Sequence, residues 1–85
     1  MKIFYSSKFE RGYRKLPQRM KIKAEEKEKL FRSDPFHPVL DTHKLGGRFQ
    51  GFWAFSIDNR YRIIFEFMKN GIVWFHLVGD HSIYQ

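Results

Sequence analysis

Apolar residues near the start of the chain recur first at strand spacing and then at helix spacing. Residues 2–5 are rich in aromatic and β-branched side chains, which predicts a short strand. One apolar stripe at helical spacing follows, formed by Phe9, Tyr13 and Leu16. Ser7 and Glu10 match a capping box at the start of this helix, and Pro17 closes it.

A second helix is predicted over residues 18–32, where charged residues dominate. Its apolar stripe is thin and consists of Met20, Ala24, Lys27 and Phe31. The short link at Pro17 predicts a helical hairpin, and the segment Ser33-Asp34-Pro35 ends it. Most of the second helix is therefore expected to be solvated and basic.

Three apolar and aromatic runs in the second half predict strands: residues 52–57, 60–67 and 72–78. Tight turns at Asp58-Asn59 and at Lys69-Asn70-Gly71 separate them. Residues 34–50 precede the strands and are predicted to form a long loop. The order β-α-α-β-β-β predicts a single α+β domain over residues 1–85, with a helical hairpin packed on one face of a mostly antiparallel four-stranded sheet.

Side-chain alternation in residues 60–67 assigns the two faces of this strand. One face carries Tyr61, Ile63, Phe65 and Phe67, and the other carries Arg60, Arg62, Ile64 and Glu66. Because the apolar face must cover the helices, Arg60 and Arg62 are expected on the open face, where both can reach phosphates or one acidic partner. The alternative is that Arg62 pairs with Glu66 or with a nearby aspartate.

The formal charge of +7 lies entirely in the first part of the chain. Residues 1–32 hold eleven Lys/Arg and four Glu, whereas residues 33–85 hold five charges of each sign. A one-sided basic surface suits a polyanion or an acidic partner, although it also serves solubility. No apolar run approaches the ~20 residues of a membrane span and the first residues lack a signal-peptide core, so a cytoplasmic protein without membrane contact is expected.

Four histidines are candidates for acid–base chemistry. His37 is expected to pack a loop, and His76 falls in the last predicted strand, in register with Trp74 and Val78, where it completes the sheet. His43 and His81 lie in segments that flank strands, and such residues can converge at one rim of a sheet. The sequence has no cysteine, no His-x₃-His helix and no cluster of carboxylates with histidines, so neither a metal nor another cofactor is expected.

Metal-free acid–base chemistry with help from cations remains, and RNA cleavage by its own 2′-hydroxyl needs only those groups. A base takes the 2′ proton, an acid protonates the leaving 5′ oxygen, and a cation stabilises the phosphorane. Histidine can fill either proton role near neutral pH, and arginine supplies a fixed charge. This hypothesis requires His43, Arg62 and His81 to line one positively charged hollow.

Four short motifs stand out: His43-Lys44-Leu45-Gly46-Gly47, Gly51-Phe52-Trp53, Arg60-Tyr61-Arg62-Ile63-Ile64-Phe65 and Gly79-Asp80-His81. Together with the strand order they resemble the RelE/ParE superfamily of toxin–antitoxin toxins, in particular its YafQ/YoeB-like branch, across essentially the whole chain. The resemblance implies a RelE-like fold and a ribosome-dependent, metal-independent mRNA interferase that inhibits translation. It also implies three partners: mRNA on the ribosome, ribosomal RNA, and a cognate antitoxin that forms a hetero-oligomer with the toxin.

Position by position, the resemblance implies catalytic roles for three residues. His81 matches the C-terminal catalytic histidine of the YafQ pattern and would be the general acid. His43 matches a functional histidine of the YafQ pattern and would be the base, while Arg62 matches the third-strand arginine of YoeB-like toxins and would stabilise the phosphorane. The residues expected to bind RNA are Lys44, Arg48, Arg60 and Tyr84.

This chain departs from those patterns at three places. Arg48 stands where YoeB-like toxins carry a catalytic glutamate, Ser56 where YafQ-like toxins carry a histidine, and Arg60-Tyr61 where the YafQ pattern has Asp-Trp. Two alternatives therefore stay open. One is a non-enzymatic ParE-like toxin that poisons DNA gyrase and needs no acid–base pair. The other is an inactive member of the fold that binds nucleic acid or protein.

Overall fold

Five strands and two helices form the molecule in a computed structural model that describes residues 1–84. The elements are β1 (Lys2–Tyr5), α1 (Ser7–Arg14), α2 (Gln18–Ser33), β2 (His43–Lys44), β3 (Trp53–Ser56), β4 (Arg62–Phe67) and β5 (Ile72–Gly79). The sheet order is β1-β5-β4-β3-β2, with β1 parallel to β5 and the other neighbours antiparallel. Among these residues, no helix has the length and apolar character needed to cross a bilayer.

The predicted α+β class, with a helical hairpin on a mostly antiparallel sheet, is confirmed. The sheet differs from expectation in having a fifth strand, β2, inside the segment predicted as a loop. Two residues are too few to show alternation in a sequence, and β2 is a strand only because its backbone pairs with β3. Strand β4 begins at Arg62 rather than at Arg60, because the preceding turn is closed by hydrogen bonds to the Asp58 carboxylate.

The first helix is capped one residue earlier than the sequence suggests. Ser6 Oγ accepts a hydrogen bond from the backbone N–H of Phe9 at 3.0 Å, and the same hydroxyl donates to the carbonyl of His76 on β5 at 2.8 Å. The predicted cap at Ser7 is therefore wrong, because Ser7 is already helical. The two bonds of Ser6 fix the start of α1 against the sheet.

The hydrophobic core lies between the hairpin and one face of the sheet. The stripes predicted on the two helices supply Phe9, Leu16, Met20, Ala24 and Phe31, all of which are buried. The Phe31 ring is fully buried, with its centre 4.8 Å from that of Phe55 and 4.9 Å from that of Phe65. Because aromatic rings bury large areas, this cluster compensates for the small size of the domain.

A bulge in β5 changes which side chains face the helices. Leu77 and Phe75 pair with consecutive residues of β4, so His76 between them is the extra residue. Val78 therefore lies on the helix side, where it is buried, while His76 stays on the opposite face beside Glu66. The predicted register of His76 with Val78 is wrong for this reason, since a bulge interrupts the period of two on which the prediction depends.

Gly12, in the middle of α1, lets this helix approach β5 closely. A Cβ atom at this position would lie 2.7 Å from the carbonyl oxygen of Val78 and 3.3 Å from its Cγ1. We expect Gly12→Ala to lower the free energy of unfolding by about 1–2 kcal/mol, because the overpacking outweighs the gain in helix propensity. Urea unfolding measures this loss, with Gly46→Ala, which has open space around it, as the control. A Gly12→Ala protein as stable as wild type would contradict the close approach.

Candidate active site

The face of the sheet away from the helices carries rows of side chains that run across the strands. One row contains His43, Ala54, Ile64 and Leu77, and the next contains Ser56, Arg62 and Gly79. Ala54 and Ile64 are fully buried although they point away from the helices. Other parts of the chain therefore cover the middle of this face.

The segment after β5 folds back against this face at Gly79. Gly79 is the last residue of β5 and pairs with Arg62. A Cβ atom on Gly79 would lie 2.5 Å from Cγ2 of Ile83, so the 3₁₀ turn His81–Tyr84 occupies the space that a side chain here would fill. The glycine therefore lets the turn that carries a histidine and a tyrosine lie beside the start of β4.

Tyr84 connects this turn with a second one, Gly47–Phe49. Arg48 Nη2 donates to the backbone carbonyl of Tyr84 at 2.9 Å, and the rings of Phe49 and Tyr84 meet edge to face at 6.0 Å. Burial raises the pKa of the Tyr84 phenol, and the nearby positive charge of Arg62 opposes that rise. The phenol therefore stays protonated at neutral pH and can donate a hydrogen bond.

His81 is exposed at the start of its turn, with its ring centre 6.4 Å from that of Tyr84. The neighbouring Asp80 carboxylate accepts a hydrogen bond from the backbone N–H of Ser82 at 2.9 Å. This bond lowers the pKa of Asp80, and the charges of Arg60 and His81 lower it further. Arg60 and His81 therefore both lie near the Asp80 carboxylate, at the same rim of the sheet.

Arg62 points its guanidinium along the turn that precedes β4. Its Nη1 donates to the carbonyl of Asp58 at 2.7 Å and to that of Tyr61 at 3.4 Å. Burial would raise the pKa of Asp58, but hydrogen bonds from backbone N–H groups of the turn bring that pKa below its usual value. The alternative in which Arg62 forms an ion pair with Glu66 or with a nearby aspartate is wrong for the described residues, because the guanidinium binds backbone carbonyl groups of the turn, that of Asp58 included. These bonds use only one of its three nitrogen atoms.

His43 lies on the same face, at the edge strand β2. Its Nδ1 is 2.7 Å from the carbonyl oxygen of Asp41. Because a carbonyl only accepts, Nδ1 carries the hydrogen and Nε2 is the acceptor in the neutral ring. Two strand spacings and two residues separate His43 from Arg62, which gives a Cα–Cα distance of about 12 Å. Two long side chains on one face can both reach a substrate across that distance.

No known family model and no curated protein matches this sequence. Solved structures that match its fold include YafQ from E. coli strain BL21(DE3), with a TM-score of 0.81 at 19% identity over 96% of this chain and 94% of YafQ. The YoeB/ParE toxin from Agrobacterium tumefaciens gives 0.78 at 18% identity, over 95% of this chain and 99% of that toxin. The E. coli DinJ–YafQ toxin–antitoxin complex gives 0.78 at 20% identity, over 95% and 92%.

This chain has the fold of the YafQ and YoeB toxins. The resemblance inferred from the four sequence motifs is confirmed at the level of the fold, although no more than a fifth of the residues are identical in these three comparisons. The YafQ/YoeB-type fold brings motifs that are distant in the sequence close together in space. It places the third and fourth motifs at adjoining ends of β4 and β5, where Arg62 pairs with Gly79.

Within this YafQ/YoeB-type fold, four of the candidate residues come together. We call this set the C-terminal cluster, and it consists of Arg48, Arg62, His81 and Tyr84. Arg60 lies at its rim, and His43 lies on the same face but at the β2 edge. Of the three residues expected to line one hollow, Arg62 and His81 therefore belong to this cluster, and His43 lies outside it. Lys44 lies apart from the others, because alternation in β2 turns it to the helix side, where its Nζ is 5.5 Å from the ring centre of Trp53.

A contact between a histidine and a glutamate on this face is not evident from the sequence. His76 Nε2 lies 3.1 Å from Glu66 Oε1, on the side of the sheet away from the helices. Alternation indicates that Glu66 faces away from the helices, but the sequence does not show the pairing register of β4 with β5 that brings His76 next to it. His37 behaves as predicted, since it packs a loop and its Nδ1 accepts a hydrogen bond from the backbone N–H of Val39 at 3.1 Å.

Proposed function

We propose that this chain is the toxin of a toxin–antitoxin pair and a metal-independent endoribonuclease that cleaves mRNA on the ribosome. The observation that carries this proposal is the C-terminal cluster, in which two arginines, a histidine and a phenol from distant parts of the sequence meet at one end of the sheet. Fixed positive charge beside a titratable imidazole is what phosphoryl chemistry without a metal requires. The toxin fold supports the same assignment.

The proposed reaction is attack of a ribose 2′-oxygen on the adjacent phosphorus. Nε2 of His43 accepts the 2′ proton while the new oxygen–phosphorus bond forms. His81 donates a proton to the 5′-oxygen while the old bond breaks. The products are a 2′,3′-cyclic phosphate and a 5′-hydroxyl, so no co-reactant is consumed. In-line attack places the attacking and leaving oxygens on opposite sides of the phosphorus, so the proposed base and acid are two different groups.

The cations of the cluster act on the phosphate itself. Arg62 stabilises the phosphorane, whose oxygens carry more negative charge than those of the bound phosphodiester. Tyr84 donates a hydrogen bond from its protonated phenol. Arg48 stands where related patterns carry a catalytic glutamate, so it supplies charge and holds the Tyr84 backbone, and the base role falls to His43. Arg60 binds a neighbouring phosphate at the rim.

The basic hairpin is proposed to dock the enzyme on ribosomal RNA. The first 32 residues carry the whole +7 charge, and a surface of this kind binds RNA backbones through release of their counterions. The same positive surface suits a cognate antitoxin of acidic character, which would hold the toxin in a hetero-oligomer. Lys44 belongs with these binding residues rather than with the cluster, since it lies on the helix side of the sheet. We place this activity in the cytoplasm.

Single-turnover cleavage of ribosome-bound mRNA tests the proposal. We expect cleaved mRNA with a 2′,3′-cyclic phosphate end, and no cleavage when the nucleotide before the cut is 2′-deoxy, because the attacking oxygen is then missing. In cells, induction of the protein should stop translation before DNA replication. Replication arrest with intact mRNA would contradict the ribonuclease proposal and support gyrase poisoning instead.

A further inference from the structure

Six rings form a continuous track across the face of the sheet opposite the helices. This aromatic track consists, in order, of Phe4, Trp74, His76, Phe52, Phe49 and Tyr84. Successive ring centres along it are 5.2, 6.3, 4.9, 6.3 and 6.0 Å apart. The track starts on the edge strand β1 and ends inside the C-terminal cluster.

The aromatic track is separate from the hydrophobic core. None of its six rings belongs to the cluster of core residues between the sheet and the helices. Pairing of β1 with β5 places Phe4 beside Trp74, and pairing of β5 with β4 places Trp74 beside Glu66. Alternation along β5 places His76 on the same face as Trp74, where it stacks on Phe52. A row of rings that the core does not use calls for another explanation.

The geometry of the rings suits stacking with flat ligands. The planes of neighbouring rings from Phe4 to Phe52 are inclined by only 26°, 18° and 22°. Near-parallel rings at these centre distances are offset, so part of each ring face extends beyond its neighbour. Phe4 is 36% exposed at the end of the row. Nucleic-acid bases stack on such platforms with little dependence on sequence.

The charges along the track match a single strand of RNA. At the β1 end, Lys2 Nζ lies 5.5 Å from the ring centre of Phe4, and at the other end the Arg48 guanidinium lies 5.2 Å from that of Phe49. Both ends therefore offer a cation for a phosphate. In the middle, Glu66 faces the rings, where its carboxylate can accept hydrogen bonds from the amino groups of bases.

We propose that the aromatic track binds the bases of single-stranded RNA that runs from the cleavage site towards β1. This inference rests on the proposed function. It specifies which part of the RNA the track binds, namely the nucleotides on one side of the scissile phosphate, whose bases stack on the rings. The nucleotide at the Tyr84 end enters the C-terminal cluster, and its neighbours lie over Phe52, His76 and Trp74 in turn.

Tryptophan fluorescence with an RNA that cannot be cut tests the track. In a Trp53→Phe background Trp74 is the sole tryptophan, and the probe is a fully 2′-O-methylated hexanucleotide, which lacks the attacking hydroxyl. We expect the probe to quench Trp74 emission. In otherwise wild-type protein, Trp74→Leu should weaken binding by about tenfold in fluorescence anisotropy, because one stacking contact is lost. An abasic strand of the same length should bind wild type and Trp74→Leu equally.

The matched control is Phe36→Leu. Phe36 is an exposed ring on the helix side, in contact with Trp53 and Phe67, so its loss should leave RNA affinity unchanged. Because the probe is never cut, the result does not depend on catalysis. If the protein fails to cleave mRNA but the probe quenches Trp74 emission, the aromatic track remains an RNA-binding site and only the proposed cleavage mechanism is contradicted. Unquenched emission with equal affinities for wild type and Trp74→Leu would overturn the track as an RNA site and assign this face to a protein partner.

Discussion

Substitution of His81 by alanine is expected to slow single-turnover cleavage of ribosome-bound mRNA by about 10²–10⁴-fold. The 5′-oxygen is a poor leaving group unless it is protonated as the bond breaks. His81 is the exposed imidazole of the C-terminal cluster and is proposed to supply that proton. Since the side chain is exposed, the thermal unfolding midpoint of the variant should match that of wild type. The rate is measured with the protein in excess over ribosomes, so that product release does not enter.

A modified substrate separates the acid role from a structural one. If the 5′-oxygen at the cut is replaced by sulfur, the leaving group no longer needs protonation, and the defect of His81→Ala should largely disappear. The matched control is His37→Asn, which keeps a hydrogen-bond acceptor for the backbone N–H of Val39 in a loop away from the cluster. Equal cleavage by wild type and His81→Ala would remove His81 from the mechanism.

Loss of the Arg62 guanidinium is expected to be nearly as costly. Arg62→Ala should lower the maximal single-turnover rate by about 10²–10³-fold, as measured for the removal of other preorganised donors to a developing anion. Arg62→Lys should restore only part of this rate, because an ammonium group lacks the planar fork that fits phosphate oxygens. The maximal rates of both variants are measured at saturating protein. Thermal unfolding then shows whether the fold is intact without the bond from Arg62 to the Asp58 carbonyl.

Arg60→Ala provides the contrast for Arg62. Arg60 lies at the rim, near Asp80, so its loss should raise the protein concentration needed for half-maximal rate and leave the maximal rate unchanged. Stabilisation of the transition state and binding of the ground state are thereby separated. If Arg62→Ala changed only the half-saturating concentration, Arg62 would be a binding residue and the phosphorane role would be excluded.

Periodicity predicts those parts of this fold in which one element buries a regular stripe. The helical stripes ending in Leu16 and Phe31 are visible in the sequence because each helix packs on the sheet through that one face. The strands around Phe55 and Phe65 are visible for the same reason. Strand β2 cannot be predicted from the sequence, because it is a strand only through its pairing with β3. This pairing places His43 and Lys44 on opposite faces of the sheet.

The candidate site depends on contacts that alternation alone does not encode. Motifs single out Arg62 and His81, but their meeting depends on Gly79, where the chain needs room for Ile83 rather than an unusual backbone angle. The bond from Arg48 to Tyr84 joins two turns whose positions no local pattern specifies. Long-range contacts of this kind follow from the assembled fold, which is why the residues could be named from the sequence and their grouping could not.

The parallel pairing of β1 with β5 sets a condition on synthesis. A chain emerging from the ribosome makes residues 2–5 first, yet their backbone partners are residues 72–75, so the sheet cannot close until the last strand has been translated. Arg62, His81 and Tyr84 arrive at the same late stage. Polypeptides truncated by cleavage of their own message upstream of this point would lack both a closed sheet and the reactive groups, and would therefore be inert.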